Sequence, residues 1–267
     1  MISLGNLLHI PHCSHISQFS HNSLKSNQSK MTDFQSRTRL LIGGDAAARL
    51  SEVRVIVFGV GGVGSWCVEG LVRSGVRRVT IVDPDCVCPS NVNRQLMATA
   101  PNVGRVKVDA LKEHLLEISP EAEIDARHEE FSAETAGRFD LKEYDYVIDA
   151  IDSLQDKMLL IRTACDAGVR LYSSMGAARK LDPTRVKVAE FWKVEGCPLA
   201  RSLRQGFKKS GVRPSRKFQC VYSDELLPNA GTPQEPRANG SMVHITAVFG
   251  FTLAGLVIED AVKAHIG

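Results

Sequence analysis

Val53-Arg54-Val55-Ile56-Val57-Phe58-Gly59-Val60-Gly61-Gly62-Val63-Gly64 sets the architecture of this chain. Residues 53–58 form a near-continuous apolar run, the pattern of a parallel strand covered on both faces. The glycines that follow, Gly59, Gly61, Gly62 and Gly64, match the dinucleotide fingerprint and lead into a predicted helix from Ser65 to Ser74. Small residues let a backbone approach phosphates, and the helix N-terminus offers N–H groups and a favourable dipole. Arg78–Asp83 reads as the next strand and ends in Asp83, where a carboxylate can accept hydrogen bonds from ribose hydroxyls. Taken alone, this block says nucleotide, with NAD the commonest ligand. An NAD-dependent oxidoreductase is one reading of it. A glycine turn that merely packs a strand on a helix is another, and Asp83 argues against that.

Working outward, strand and helix patterns alternate. Helices are predicted over Lys107–Ile118 and Leu154–Asp166, and strands over Tyr146–Ala150 and Val169–Ser173. This rhythm implies an α/β fold, a Rossmann-like doubly wound and mostly parallel sheet. Beyond Lys180 it changes into an excursion, with a strand at Val186–Phe191, a helix at Pro198–Lys209 and a loop over Asn229–Asn239. Met242–Ile258 is apolar enough to approach a bilayer crossing. It contains His244, Thr246 and Thr252 and ends at Glu259-Asp260, so it reads as a fully buried strand and helix and not as a membrane anchor.

The residues after Asp83 shift the reading from NAD toward a triphosphate. Asp85, Asn91, Arg94 and Gln95 follow closely, then Lys107. Two fixed cations beyond a ribose-binding acid suit β and γ phosphates, Arg94 through a bidentate contact and Lys107 as a point charge. Asp149 and Asp152 end a strand, where ligands of open α/β sheets bind. A carboxylate there can hold Mg²⁺, which takes one or two carboxylates plus phosphates. Singly, each of these residues reads as a surface ion pair. Jointly, in this order, they point to ATP.

Composition is that of an ordinary globular protein, with 43% hydrophobic and 24% charged residues and a net charge of +3, so a large core is feasible. The seven cysteines form no evident disulfide framework, which suits a reducing cytoplasm. Residues 1–30 hold four histidines and no acid, and read as a disordered N-terminal extension without a signal peptide. Arg201–Lys217 carries seven Arg and Lys residues and no acid. On a helix, Arg201, Arg204 and Lys208 share one face. With Lys209 and Arg213 they read either as a solvated basic face or as a phosphate-backbone contact surface.

GVGGVGSW, the Asp83 strand end, SNVNRQ, GRVKVD and DAIDS together resemble the ubiquitin-activating-type adenylyltransferase superfamily. Within it, VGSWCVEGLVRSGV, NVNRQL, YVIDAIDS, LDPTRVKV and CVYSDE are most similar to the tRNA threonylcarbamoyladenosine dehydratases. The resemblance covers Thr38 to the C-terminus and implies that residues 31–267 are an ATP-binding, adenylyltransferase-type domain. It implies ATP phosphates against Gly61 and its neighbours, with Asp83 on the ribose. Asn91, Arg94 and Lys107 would hold the phosphates, and Asp152 would be the Mg²⁺-linked acid with Asp149 supporting it. It further implies a homodimer in which Arg39, ahead of the first strand, reaches the partner's ATP site, and tRNA as the partner of the basic run. A sulfur-transfer or delivery protein is a further partner of such enzymes. The sulfur-carrier activators of the superfamily, which adenylate the C-terminal glycine of a ubiquitin-like protein, are the near rival. Several of them hold zinc with two CxxC pairs, and this chain has no CxxC.

Overall fold

The computed structural model describes residues 34–232 and 239–263. The extension over residues 1–30 and part of the Asn229–Asn239 loop lie outside them. Two helices come first, α1 (Ser36–Ile42) and α2 (Gly44–Glu52). The glycine-turn unit follows as β1 (Arg54–Phe58), α3 (Gly64–Ser74) and β2 (Arg78–Val82). Then come α4 (Lys107–Ile118), β3 (Glu123–Arg127), β4 (Tyr146–Asp149), α5 (Leu154–Ala167) and β5 (Arg170–Ser174). The excursion supplies β6 (Val186–Glu190), α6 (Pro198–Ser210) and β7 (Gln219–Ser223), and α7 (Val243–Lys263) closes the described chain.

The seven strands form one sheet in the order β3-β2-β1-β4-β5-β7-β6. All neighbours are parallel except β6, which runs antiparallel on β7 at the edge. This is the expected Rossmann-like doubly wound sheet. Strand order runs outward from β1 in both directions, so β1 and β4 flank a topological switch point, where open α/β sheets bind ligands.

The strand alternation of β1 shows why the run is apolar throughout. Val55 and Val57 join a core with α2, α3, α4 and α7, while Ile56 and Phe58 join a second core with α5 and α6. Both faces are covered, so each side chain is buried whichever way it points. Gly75 ends α3 in a left-handed conformation and its N–H caps the helix.

Two expectations change. The C-terminal apolar segment is a single helix, not a strand and a helix, because neither glycine nor proline breaks it decisively. It is also not fully buried. One face packs through Ile245, Phe249, Leu253 and Val257, whereas Phe251 is 46% exposed. Its length and apolarity suffice to cross a membrane, but here it packs on α3, where Gly70 and Gly250 let the two helices approach closely.

The candidate nucleotide cleft and basic face

A cleft of about 670 Å³ opens at the carboxyl ends of β1, β2, β4 and β5. Gly59 leaves β1 with a φ of 84°, and a Cβ there would stand 2.7 Å from the Ala150 carbonyl oxygen. Only glycine fits that crossing. Gly59, Gly61 and Gly62 line the cleft. Gly64 does not; a side chain there would collide with the Gly59 carbonyl, so its expected place among the cofactor contacts gives way to close packing of α3 on the turn.

Asp83 is buried, and each of its oxygens accepts a backbone amide: Oδ2 from Val60 at 2.8 Å and Oδ1 from Asp85 at 3.0 Å. It thus ties the glycine turn to the end of β2 while still lining the cleft. A carboxylate oxygen has two lone pairs, so a ribose hydroxyl remains acceptable beside each amide. Burial pushes the Asp83 carboxyl above the ordinary carboxylate value, with Lys107 and the two amides pulling it down. Lys107 is buried at the start of α4, its Nζ 2.7 Å from Asp85 and 3.7 Å from Asp83.

Arg94 lines the cleft beside Gly62, its Nη1 donating to Ser90 O and Asn93 Oδ1 at 2.8 and 2.9 Å. Its own carbonyl accepts from Trp66 Nε1 at 3.0 Å. Asn91 caps the short 3₁₀ turn ahead of Arg94, its Oδ1 accepting from Cys88 N at 3.0 Å. Gln95 is buried in the cleft wall with its Oε1 unpartnered, an acceptor that a ligand hydroxyl or amide could satisfy.

The two acids at the end of β4 have different fates. Asp152 is exposed and lines the cleft. Asp149 is fully buried, outside the lining. Its Oδ1 takes Lys157 Nζ at 2.9 Å and Ile151 N at 3.2 Å, and its Oδ2 takes Ser173 Oγ at 2.6 Å. The expected cofactor contact at Asp149 is therefore corrected: its carboxylate is consumed inside the sheet.

Three acids that sequence reasoning missed stand in the cleft, Glu129 and Glu130 after β3 and Asp156 in the first turn of α5. Asp156 lies four residues after Asp152, a spacing visible in the sequence. Nothing in the sequence places the β3 loop beside the glycine turn. In all the cleft holds six carboxylates, counting Asp83, Asp85 and Asp152, against Arg94 and Lys107. No group of three or more His, Cys, Asp or Glu among the described residues forms a ready-made metal cage. Cys220 lies beneath, fully buried, and burial pushes its thiol well above the ordinary value, which suits packing and not nucleophilic attack.

Arg39 sits in α1, outside the cleft lining. No residue of that helix is buried, and Leu40 and Leu41 are 81% and 86% exposed.

The basic face lies on α6. This helix begins in the cleft wall at Leu199 and continues into a second cavity of about 260 Å³ lined by Arg201, Arg204, Lys208 and Arg213 with Trp192 and Gln205. Arg204 differs from its neighbours. Its Nη1 donates to the carbonyls of Phe191 and Val194 at 3.2 and 2.9 Å, so it holds the helix to the preceding turn. Lys209 is exposed and outside this cavity.

A model of the ThiF family matches residues 35–267. The chain belongs to the ThiF family. Among its ThiF-family relatives, the tRNA threonylcarbamoyladenosine dehydratase of Bacillus subtilis is 42% identical over 241 residues, which are 85% of this chain and 94% of that protein. The crystal structure of the Escherichia coli tRNA N6-threonylcarbamoyladenosine dehydratase in complex with ATP superposes with a TM-score of 0.80. It shares 31% identity over 88% of this chain and 97% of its own. The adenylyltransferase and sulfurtransferase MOCS3 of Culex quinquefasciatus matches only in part, at 34% identity over 45% of this chain and 27% of that protein.

Proposed function

We propose that this ThiF-family chain catalyses the ATP-dependent dehydration of threonylcarbamoyladenosine next to the tRNA anticodon. One observation carries the proposal. The glycine turn, Asp83, Arg94, Lys107 and Asp152 meet in a single cleft at the switch point of the sheet, on a chain similar along most of its length to dehydratases named for that reaction. The complex of the Escherichia coli relative with ATP supports ATP as the nucleotide.

A carboxylate oxygen of the threonyl group attacks a phosphorus of ATP and expels pyrophosphate or ADP, giving a mixed anhydride. A nitrogen of the same substituent then attacks the activated carbonyl, and AMP or phosphate departs carrying the former carboxylate oxygen. The nucleoside has lost one water. Both reacting groups sit on one substituent, so ring closure gains the advantage of an intramolecular reaction. Arg94 and Lys107 face the charge that accumulates on the phosphates. Asp83 and the glycine turn orient the ribose and phosphate chain.

The wall chemistry fits Mg²⁺. Six carboxylates stand in the cleft against Arg94 and Lys107, with Arg138 pairing Glu129 at 3.2 Å, and an all-oxygen donor set suits a divalent ion that would offset their repulsion of a triphosphate. Asp152, with Asp156 one turn beyond, would hold it together with phosphate oxygens. When bound, the ion neutralises phosphate charge.

The exposed Leu40-Leu41 pair beside Arg39 supports a homodimer in which α1 packs on a second copy and Arg39 serves the partner's cleft. The face formed by Arg201, Lys208 and Arg213 supports tRNA binding, because α6 joins it directly to the cleft. The six described cysteines are all free thiols, which supports a cytoplasmic setting.

Mass spectrometry of nucleosides from threonylcarbamoyl-modified tRNA, after incubation with the protein and ATP-Mg²⁺, tests the proposal. The expected outcome is loss of one water from that nucleoside, dependent on ATP. Unchanged nucleoside with folded, ATP-binding protein would sink it and favour adenylylation of a sulfur-carrier protein instead.

A further inference from the structure

We propose that the cavity beside Trp192 is a phosphate site that clasps one backbone phosphate of the RNA substrate, away from the reacting nucleoside. The inference rests on the tRNA reading above and deepens it from a charged face to a built site. Arg201 and Lys208 stand seven residues apart on one face of α6, about two turns. Gly211 ends the helix in a left-handed conformation, with a φ of 69°, and the chain returns so that the Arg213 guanidinium lies 5.4 Å from the Trp192 ring centroid. Such a cation–π contact fixes an otherwise mobile side chain. Arg204 holds the turn carrying Trp192 through the Phe191 and Val194 carbonyls.

The wall therefore contains four cations and no carboxylate. Cations gathered in so small a space repel one another until an anion enters, and two guanidinium forks suit phosphate oxygens. The position points to a polymer. Leu199 borders the cleft and Lys208 lies nine residues along the same helix, on the order of 14 Å away. That spans about four stacked nucleotides at ~3.4 Å each.

Binding of tRNA to the full chain, measured at several salt concentrations, tests the site. Arg213→Gln and Lys208→Gln are each expected to weaken binding several-fold, to about ten-fold, and to lower the salt slope by about one. Trp192→Ala is expected to reproduce part of the Arg213→Gln loss. Lys209→Gln removes the same charge from the same helix outside the cavity, and is expected to cost several-fold less than Lys208→Gln. Equal losses at 208 and 209 would mean a diffuse field and would overturn the site. ATP affinity and melting temperature report folding, and Arg213→Lys, which keeps charge but loses the fork, serves where Arg213→Gln misfolds. Inorganic phosphate provides the other arm. If it saturates the cavity while the variants bind tRNA like the parent, the site serves a free anion and the RNA assignment fails. Pocket-dependent tRNA binding without dehydration would overturn the proposed reaction and leave this site standing.

Discussion

The ends of β2 and β4 carry the same device with different outcomes. At each strand end a buried aspartate is followed shortly by an exposed one: Asp83 then Asp85, and Asp149 then Asp152. In each, the buried acid holds the following loop by hydrogen bonds to backbone amides. Asp83 also grips the glycine turn and keeps an edge on the cleft. Asp149 turns inward to a lysine that is itself completely buried. A carboxylate at a strand end is thus an architectural part or a ligand contact according to whether it and its cation turn into the core or keep an edge on the cleft.

The largest expected effect breaks the inward pair. Asp149→Ala strands the Lys157 charge in the core and is expected to cost about 3–5 kcal/mol in denaturant unfolding. Adding Lys157→Met is expected to recover much of that, because a buried ion pair is often replaceable by apolar side chains. A single-variant loss below about 1 kcal/mol would show that Asp149 is not the anchor described. Asp152→Ala is the counterpart. Dehydration is expected to fall about 10²–10³-fold, while unfolding stability stays within about 0.5 kcal/mol of the parent, as for an exposed residue. A stability loss matching that of Asp149→Ala would erase the distinction between the two acids.

A third buried acid sharpens the comparison with the smallest effect. Glu69 in α3 accepts from Arg73 at 2.5 Å and pairs with His114 of α4 at 2.9 Å. Burial pushes the Glu69 carboxyl up, but hydrogen bonds from His114 and Arg73 outweigh it and hold the carboxyl below the usual value. The hydrogen bond to Glu69 lifts His114 above its ordinary value, against partial burial. The histidine contribution is complete below the unfolded pKa near 6.5 and fades as pH rises through the higher folded value. The Glu69 contribution is present above about 4.5 and fades as pH falls through its lowered value. Removing the pair by His114→Ala is expected to lower stability between about pH 4.5 and 6.5 by less than about 1 kcal/mol, and to weaken the falls above and below that window, since water screens the half-exposed imidazole. An unchanged profile would show that the contact adds nothing.

The residues that fixed the sheet were legible because β1 and its glycine turn satisfy one constraint locally. A strand buried on both faces is apolar throughout, and a backbone crossing at Gly59 excludes every side chain. β3 escaped notice because it pairs on one side only, leaving Glu123 and Asp125 exposed in EIDAR. β7 is not legible as a strand because QCVYS is short and its pairing with β5 is nonlocal. The same blindness hid Glu129 and Glu130, whose place in the cleft depends on β3 joining the sheet beside β2. The inward turn of Asp149 was not legible because its partner Lys157, eight residues on, carries no sign of its burial in the sequence. On the basic run, helical spacing gave the shared face correctly, but not the carbonyls that claim Arg204.

The central claim, activation of the substrate carboxylate by ATP in this cleft, is tested most directly with ¹⁸O in that carboxylate. One ¹⁸O is expected to leave on AMP or on inorganic phosphate for each ring closed, detected by mass spectrometry of the small-molecule products. Ring closure with all released label in bulk water, and none in AMP or phosphate, would contradict it.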